Sequence, residues 1–243
     1  MRAGPLPSTV TGMTLLHRAQ VSSWLRGHLL CRIEGIEDQF ALTFDDGPSP
    51  RSTGPIRDVL TRHGARATFF MLEGPVRREP ALVRELQAGG HEMGAHGAWH
   101  VPPLFLPPFF LAHEIRAAAD AIESATGTRP RHYRPPFGLM LPAQARFARQ
   151  LGFVPVLGDV YPEDDQNRGV ERVVDRVLAR LRGGSILILH DGSAWRDRDR
   201  SQTVAALDRI LSRAAARGLR AVTVADLLRA AAVHESADAP FYT

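Results

Sequence analysis

The sequence contains no lysine, because all 30 of its basic residues are arginines. Chemistry that depends on a lysine amine, such as Schiff-base formation, is therefore excluded. The arginines account for a sequence pI near 10.1, although the net charge is only +4. They are scattered along the chain and interleaved with acidic residues instead of being gathered in one run. We therefore do not expect nucleic acid to be a partner.

Cysteine is almost absent as well, with Cys31 as the single example. One cysteine cannot form a disulfide within the chain or a cluster of thiolate metal ligands. A metal site in this protein would therefore use histidine and carboxylate ligands. Cys31 itself is expected to serve as a small apolar residue.

Long apolar runs are also missing. No stretch of about 18 uncharged apolar residues occurs, which predicts that the chain has no transmembrane helix. The first residues do not have the pattern of a signal peptide, since histidine and arginine interrupt the apolar patches. We expect a protein that is cytoplasmic or held at a membrane surface.

The length of 243 residues favours one large domain. Residues 1–37 form a predicted N-terminal extension with a helix at about 14–31, which either packs onto the domain or lies as a basic amphipathic helix on a membrane. Residues 38–232 form the predicted catalytic domain. A polar tail at 233–243 is expected to fray.

From residue 38 onward, apolar strand-like segments alternate with helix-like segments that end at glycine. This alternation is typical of parallel βα units. Seven such strands predict an α/β fold, a deformed (β/α)7 barrel with helices outside. The predicted strands are 40–44, 67–72, 91–95, 132–135, 153–160, 185–189 and 219–224.

The first of these strands ends in two adjacent acids, Asp45 and Asp46, followed by Gly47 and Pro48. Glycine and proline stop a strand and permit a sharp reversal of the backbone. Because neighbouring residues of a strand point to opposite faces, the two carboxylates are predicted to have two different roles.

Other strand ends also present chemically active side chains. His96 and His100 follow the third strand at a spacing that suits a divalent metal, Arg134 follows the fourth, and His190 follows the sixth. The fifth is followed by aspartates at 159, 164 and 165. In parallel α/β folds the active site lies at the carboxyl ends of the strands, so we expect these side chains to meet.

The order and content of these segments resemble the polysaccharide deacetylases, carbohydrate esterase family 4, over residues 38–225. The resemblance implies a deformed barrel that hydrolyses an N-acetyl or O-acetyl group on a sugar with the help of a metal ion. N-acetylglucosamine in peptidoglycan or chitin is the commonest substrate of such enzymes.

The resemblance also implies a metal-ligand set of Asp46, His96 and His100. One carboxylate and two imidazoles leave a coordination position open for water, and this donor set suits zinc. Such a metal would lower the pKa of its water and polarise the carbonyl of the substrate.

The other roles implied by the resemblance fall on the remaining strand ends. Asp45 matches the catalytic base, Arg134 the group that keeps the base ionised and oriented, and His190 the general acid. Pro136 and Phe137 match the segment whose backbone N–H binds the oxyanion.

Three features depart from the family pattern. Gly97 stands where a serine or threonine is usual, which removes a hydroxyl that could hold the ligand loop. Asp164-Asp165 replaces an Asp-Trp pair, and we assign Asp164 as the partner of His190, with Asp159 and Asp165 as alternatives. Residues 101–111 form an apolar segment whose four prolines predict no helix, and it either belongs to the core or faces a membrane.

Two alternatives remain open at this point. One is a deacylase or deformylase of a lipid-linked sugar at a membrane surface, and the other is a non-catalytic carbohydrate-binding protein of the same fold. The sequence makes no prediction of the oligomeric state.

Overall fold

The computed structural model describes residues 28–166, 168–194 and 198–237. Within these residues the strands are β1 Gln39–Asp45, β2 Thr68–Leu72, β3 Glu92–Gly97, β4 His132–Tyr133, β5 Val154–Pro155, β6 Ile186–His190 and β7 Arg220–Val222. The helices are α1 Thr53–Arg62, α2 Glu73–Arg78, α3 Pro80–Ala88, α4 Pro108–Thr126, α5 Pro142–Gln150, α6 Val170–Leu178, α7 Ser201–Ala215 and α8 Val224–Ala237.

The seven strands form one parallel sheet in the order β5-β4-β3-β2-β1-β6, and β7 pairs with the beginning of β1. The predicted deformed barrel is therefore confirmed. β1 lies at its centre and is buried at every position after Gln39, which explains why both of its faces carry apolar or small residues. Its register with β6 sets Asp45 beside His190 at the carboxyl edge of the sheet.

The N-terminal segment bridges the gap between β5 and β6. Leu30 pairs with Val156, and Arg32 pairs with Ser185. Residues 28–31 therefore form a turn and a strand bridge, so the end of the helix predicted at 14–31 is wrong. The rest of that predicted helix lies outside the described residues.

Residues 101–111 differ from the prediction of a helix-free segment. Pro103–Phe105 forms a 3-10 turn, and α4 begins at Pro108, inside the segment that was predicted to contain no helix. Proline is favoured at the first position of a helix because the N–H that it lacks has no partner there. The proline run therefore marks the beginning of α4.

Helix α2 and the C-terminal end of α8 were not predicted from the sequence. α2 has six residues and one buried side chain, Val76. A segment of this length is too short to show a helical period in the sequence. α8 continues to Ala237, five residues into the segment that was predicted to be a frayed tail.

The largest part of the core lies between the sheet and helices α1, α6 and α7. Phe44 of β1 stacks on Phe69 of β2 with ring centroids 5.1 Å apart, and both side chains are fully buried. Each contributes roughly 1.5–3 kcal/mol by burial. This packing holds the carboxyl ends of β1 and β2 in register, and the candidate site lies directly above them.

Candidate active site

The backbone turns sharply after β1 and separates the two adjacent aspartates. Asp45 is the last residue of the strand, whereas Asp46 has a left-handed conformation with φ of 77°. Asp46 therefore does not continue the alternation of the strand. Both carboxylates lie at the carboxyl edge of the sheet, but each contacts a different set of partners.

Asp46 is grouped with two histidines, His96 near the end of β3 and His100 in the loop that follows it. Its Oδ1 lies 3.4 Å from His96 Nε2 and 3.2 Å from His100 Nε2. The three potential ligand atoms lie within 4.8 Å of one another. The structure thus brings together the ligand set that was predicted from the sequence.

The hydrogen bonding of His96 determines which ring nitrogen faces Asp46. Its Nδ1 lies 2.9 Å from the backbone carbonyl of Arg134, which can only accept a hydrogen bond. Nδ1 therefore carries the proton, and Nε2 directs a lone pair toward the Asp46 carboxylate. Burial, followed by the repulsion that a protonated His96 would exert, lowers the pKa of His100 to about 4, so His100 is neutral at physiological pH.

These residues fit a divalent cation. Asp46 Oδ1 is buried and accepts no hydrogen bond from the described residues. Burial raises the pKa of Asp46, but the neighbouring His96, followed by His190 and His100, holds it well below its usual range. A buried carboxylate oxygen that faces imidazole lone pairs needs a positive charge between them, which a metal ion supplies.

Asp45 faces the opposite side and is bound by Arg134. Arg134 Nη1 donates to Asp45 Oδ1 at 2.6 Å, and it also lies 2.6 Å from Thr43 Oγ1. The guanidinium is 2% exposed and lies over the Phe70 ring at 4.1 Å. Burial lowers the pKa of Arg134, and the charge of Asp45 opposes that effect. The pair is thus a buried, charge-assisted contact that orients the Asp45 carboxylate.

His190 is bound by Asp164, the aspartate that the family resemblance assigned to it. Asp164 Oδ1 lies 2.9 Å from His190 Nδ1, and Asp164 Oδ2 accepts the backbone N–H of His190 at 2.9 Å. Burial lowers the pKa of His190, but the carboxylate of Asp164 more than offsets this and raises the pKa to about 10. The imidazole is therefore a proton donor at neutral pH.

The two alternative aspartates have other partners. Asp159 accepts from the hydroxyl of Ser185 at 3.1 Å and from the backbone N–H of Ile186 at 2.8 Å. Asp165 accepts from the Tyr161 hydroxyl at 2.5 Å. Of the three aspartates after β5, Asp164 is the one in contact with His190.

Pro136 and Phe137 lie in the turn that follows β4. Pro136 is buried, whereas the Phe137 ring is exposed and contacts the His100 ring at a centroid distance of 4.6 Å. Phe137 has a left-handed backbone with φ of 60°. The predicted oxyanion segment therefore borders the candidate metal ligands.

Asp191, which follows His190, is a further site residue that was not predicted from the sequence. Its side chain is fully buried, and its Oδ2 accepts from the Thr53 hydroxyl at 2.5 Å. A Cβ atom on Gly47 would come within 2.1 Å of that oxygen, so the turn after β1 requires glycine here. Burial and the charges of Asp46 and Asp45 raise the pKa of Asp191 to about 7, although the Thr53 hydroxyl lowers it. Its position after a strand-end histidine was the available signal.

A cavity of about 300 Å³ opens beside Asp46, and Arg78 and Arg198 are among the residues that line it. Exposed apolar side chains occur on the segment around and after His100 and at Phe137, whose ring contacts His100, and we call them the apolar rim. The apolar rim comprises Trp99, Leu104, Phe105, Phe109, Phe110 and Phe137. None of the helices in the described part of the chain has the length and hydrophobicity of a membrane-spanning segment.

Comparison with known proteins gives a consistent result. The family model for polysaccharide deacetylase matches residues 33–156. A peptidoglycan-N-acetylglucosamine deacetylase from Bacillus cereus is 37% identical over 205 residues, which cover 84% of this chain and 94% of that relative. A chitooligosaccharide deacetylase from a Bradyrhizobium species is 37% identical over 185 residues, covering 73% of this chain and 84% of the relative.

A solved structure shows the same similarity in three dimensions. The peptidoglycan deacetylase PdaC from Bacillus subtilis is 31% identical and superposes with a TM-score of 0.74. The match covers 83% of this chain and 95% of that protein. The similarity therefore extends over most of the length of both chains.

Proposed function

We propose that this chain, which belongs to the polysaccharide deacetylase family, is a metal-dependent hydrolase that removes the N-acetyl group from an acetylated aminosugar. The observation that carries the proposal is the convergence of two separate carboxylate and histidine groups at one edge of the sheet. Asp46, His96 and His100 form one group, and Asp164 with His190 forms the other. A metal-dependent amide hydrolase uses both a metal-binding set and a proton donor, and the geometry supports both.

Asp46, His96 and His100 would hold the cation, and zinc suits this donor set of one carboxylate and two imidazoles. When bound, the metal ion would acidify a water molecule and polarise the acetyl carbonyl. The hydrogen bond from His96 Nδ1 to the Arg134 carbonyl fixes the tautomer that binding requires.

Asp45 would act as the base that takes the proton from the attacking water. Arg134 donates a charge-assisted hydrogen bond to one oxygen of Asp45 and thereby orients the carboxylate. The same arginine thus links the base to the ligand His96, because its side chain binds Asp45 and its carbonyl binds His96. One residue, Arg134, thereby holds the proposed base, Asp45, and the proposed metal ligand, His96, in a fixed relative position.

His190 would act as the acid that protonates the leaving amine. Asp164 binds Nδ1, so the proton for transfer is on Nε2. General acid catalysis of this kind is worth about 10²–10⁴ in rate. The backbone N–H of Phe137, in the turn that also contains Pro136, would stabilise the oxyanion of the acetyl carbonyl.

Acetate release from a panel of soluble N-acetyl sugars, chitooligosaccharides and peptidoglycan tests the proposal. We expect release that stops when a chelator removes the metal and resumes when a divalent ion is added. Metal binding without acetate release from any of these substrates would contradict the proposal and favour the non-catalytic carbohydrate-binding alternative.

The apolar rim favours a second candidate function, the removal of an acyl or formyl group from a lipid-linked sugar at a membrane surface. Phe105 and Phe109 are 72% and 77% exposed, and they lie in the segment that directly follows His100. Large exposed apolar patches mark surfaces that contact a partner, a ligand or a membrane, and a lipid-linked sugar would use such a surface. A lipid-linked N-acylated sugar in vesicles is therefore included in the substrate panel.

A further inference from the structure

The loop that carries the two candidate histidine ligands is bound by a buried carboxylate from another element. Glu114 lies on α4 and is 1% exposed. Its Oε2 accepts the backbone N–H of Ala98 at 3.0 Å and that of Trp99 at 3.1 Å. These two amides lie between His96 and His100, so Glu114 binds the loop at its middle.

This loop has a backbone conformation that needs support. Gly97 has φ of 112° and His100 has φ of 55°, and both values lie in the left-handed region. A non-glycine residue in that region is strained and persists only where the surrounding structure holds it. The conformation of His100 therefore depends on contacts made by the rest of the loop. Glu114 makes such contacts with Ala98 and Trp99, the two residues that precede His100.

Gly97 leaves the space that the carboxylate occupies. A Cβ atom on Gly97 would lie 2.8 Å from Glu114 Oε2. Any side chain at this position would displace the oxygen that binds Ala98 and Trp99. Position 97 has no serine or threonine hydroxyl to hold the loop. The carboxylate of Glu114 on α4 binds the backbone of the same loop instead.

We infer that Glu114 is a positioning residue for the metal site, which holds the loop from Gly97 to His100 in the conformation that binds the cation. The inference rests on the proposed metal site of Asp46, His96 and His100. Glu114 contacts neither Asp46 nor an imidazole in the described hydrogen bonds, so it acts through the backbone of the loop. Residues that orient metal ligands in this way typically contribute about 10–100-fold to metal affinity.

Glu114→Leu and Glu114→Gln test the inference. Leucine keeps most of the buried volume but leaves both amides without an acceptor, whereas glutamine retains one carbonyl oxygen. Zinc affinity, measured by competition with a chromophoric chelator, should fall at least tenfold in Glu114→Leu and less in Glu114→Gln. In the metal-free protein, hydrogen exchange of the Ala98 and Trp99 amides should be faster in Glu114→Leu.

Glu92→Gln is the matched control. Glu92 is on β3, at the end of the strand away from Gly97, and it accepts the Ala225 N–H at 3.0 Å and the Thr68 hydroxyl at 2.7 Å and contacts His132 Nδ1 at 2.5 Å. Its substitution should lower the melting temperature and leave zinc affinity unchanged. A purely structural role for Glu114 predicts the same behaviour in both variants.

The outcomes separate this inference from the proposed function. If the unaltered protein binds no divalent ion, the metal site and the inference both fail. If the unaltered protein and Glu114→Leu bind zinc with the same affinity, the inference alone is overturned. It is also overturned if Glu92→Gln loses as much affinity as Glu114→Leu at an equal decrease in melting temperature.

Discussion

The carboxylate of Asp164 binds His190 at two points, through the ring Nδ1 and through the backbone N–H, both at 2.9 Å. The Thr203 hydroxyl also donates to Asp164 Oδ2 at 2.9 Å. The ring of His190 is thereby fixed with Nε2 directed away from Asp164. Because the carboxylate stabilises the imidazolium, the pKa of His190 is raised from 6.5 to about 10.

This pair predicts the alkaline limit of activity. A general acid must be protonated, so turnover should fall as the pH rises through the pKa of His190. A bound cation would lower that pKa below 10, because positive charge disfavours the imidazolium. In Asp164→Asn the loss of the negative charge should move the alkaline limb of kcat/KM to lower pH and reduce kcat by up to about 10²–10⁴-fold.

The pH profile of Asp165→Asn is the control for that experiment. Asp165 is adjacent in sequence but contacts Tyr161. An alkaline limb that stays in place in Asp164→Asn, or that moves equally in both variants, would contradict the assigned role of Asp164. The same pair should stabilise the fold below about pH 6.5, and this contribution should be lost as the pH rises through the raised pKa.

The metal site predicts a stoichiometry. Purified protein should bind about one divalent ion per chain, and His96→Ala or His100→Ala should lose it because two ligands are too few to hold the ion. Elemental analysis after dialysis measures the content. His113→Ala, which removes an exposed histidine near Trp99, should keep the metal. Full occupancy in the double variant of His96 and His100 would refute the assignment.

Substitution of Asp45 and substitution of Asp46 should have different effects on turnover and on metal binding. Asp45→Asn should abolish turnover while retaining the metal, because Asp45 is bound to Arg134 instead of facing the histidines. Asp46→Asn should weaken metal binding, because Asp46 Oδ1 faces both imidazoles. Metal content and acetate release, measured on the same samples, check both statements. Loss of metal in Asp45→Asn with retention in Asp46→Asn would reverse the roles.

The apolar rim gives a prediction about substrate class. Phe105→Ser/Phe109→Ser should lower activity on vesicle-bound, lipid-linked sugars and leave metal content and activity on soluble sugars nearly unchanged. Each aromatic side chain buried in an acyl layer is worth roughly 1.5–3 kcal/mol, which exceeds the attraction expected from a net charge of +4.

The exposure of these side chains makes the experiment interpretable. Because both rings are largely solvent-exposed, the double variant should melt close to the unaltered protein. Val154→Ser, an exposed apolar residue on β5 and outside the apolar rim, should not change activity on either substrate. Equal activity of the double variant on vesicle-bound and soluble sugars would end the membrane hypothesis.

The order of the strands along the chain and the side chains at their ends could be predicted from the sequence. The apolar runs that form the strands are local, and each is bounded by glycine, proline or a helical pattern. Parallel strands place their carboxyl ends at one edge, so Asp45, Asp46, His96, Arg134 and His190 could be expected to meet before any distance was known. The resemblance to a known family then assigned each a role.

The resemblance assigned Asp164 as the partner of His190 and left Asp159 and Asp165 as alternatives, and the tertiary structure was needed to decide among the three. All three follow β5, and their distances to His190 depend on how the chain turns after Val160. In the structure, Asp159 binds the start of β6 and Asp164 begins a 3-10 turn against its end. The position of the segment after β5 relative to β6 determines which aspartate contacts His190. The local sequence does not specify that position.

The sequence by itself determined the βα alternation, the strand-end chemistry and the set of candidate ligands, because each depends on residues that are near one another in the chain. The tertiary structure alone decided that Phe105 and Phe109 are exposed, that Leu30 and Arg32 bridge β5 and β6, and that Glu114 binds the loop after His96. Each of these is a contact, or the lack of one, between segments that meet only when the barrel forms. Burial and hydrogen bonding depend on the neighbours that the fold supplies, and no period or spacing in the chain specifies them.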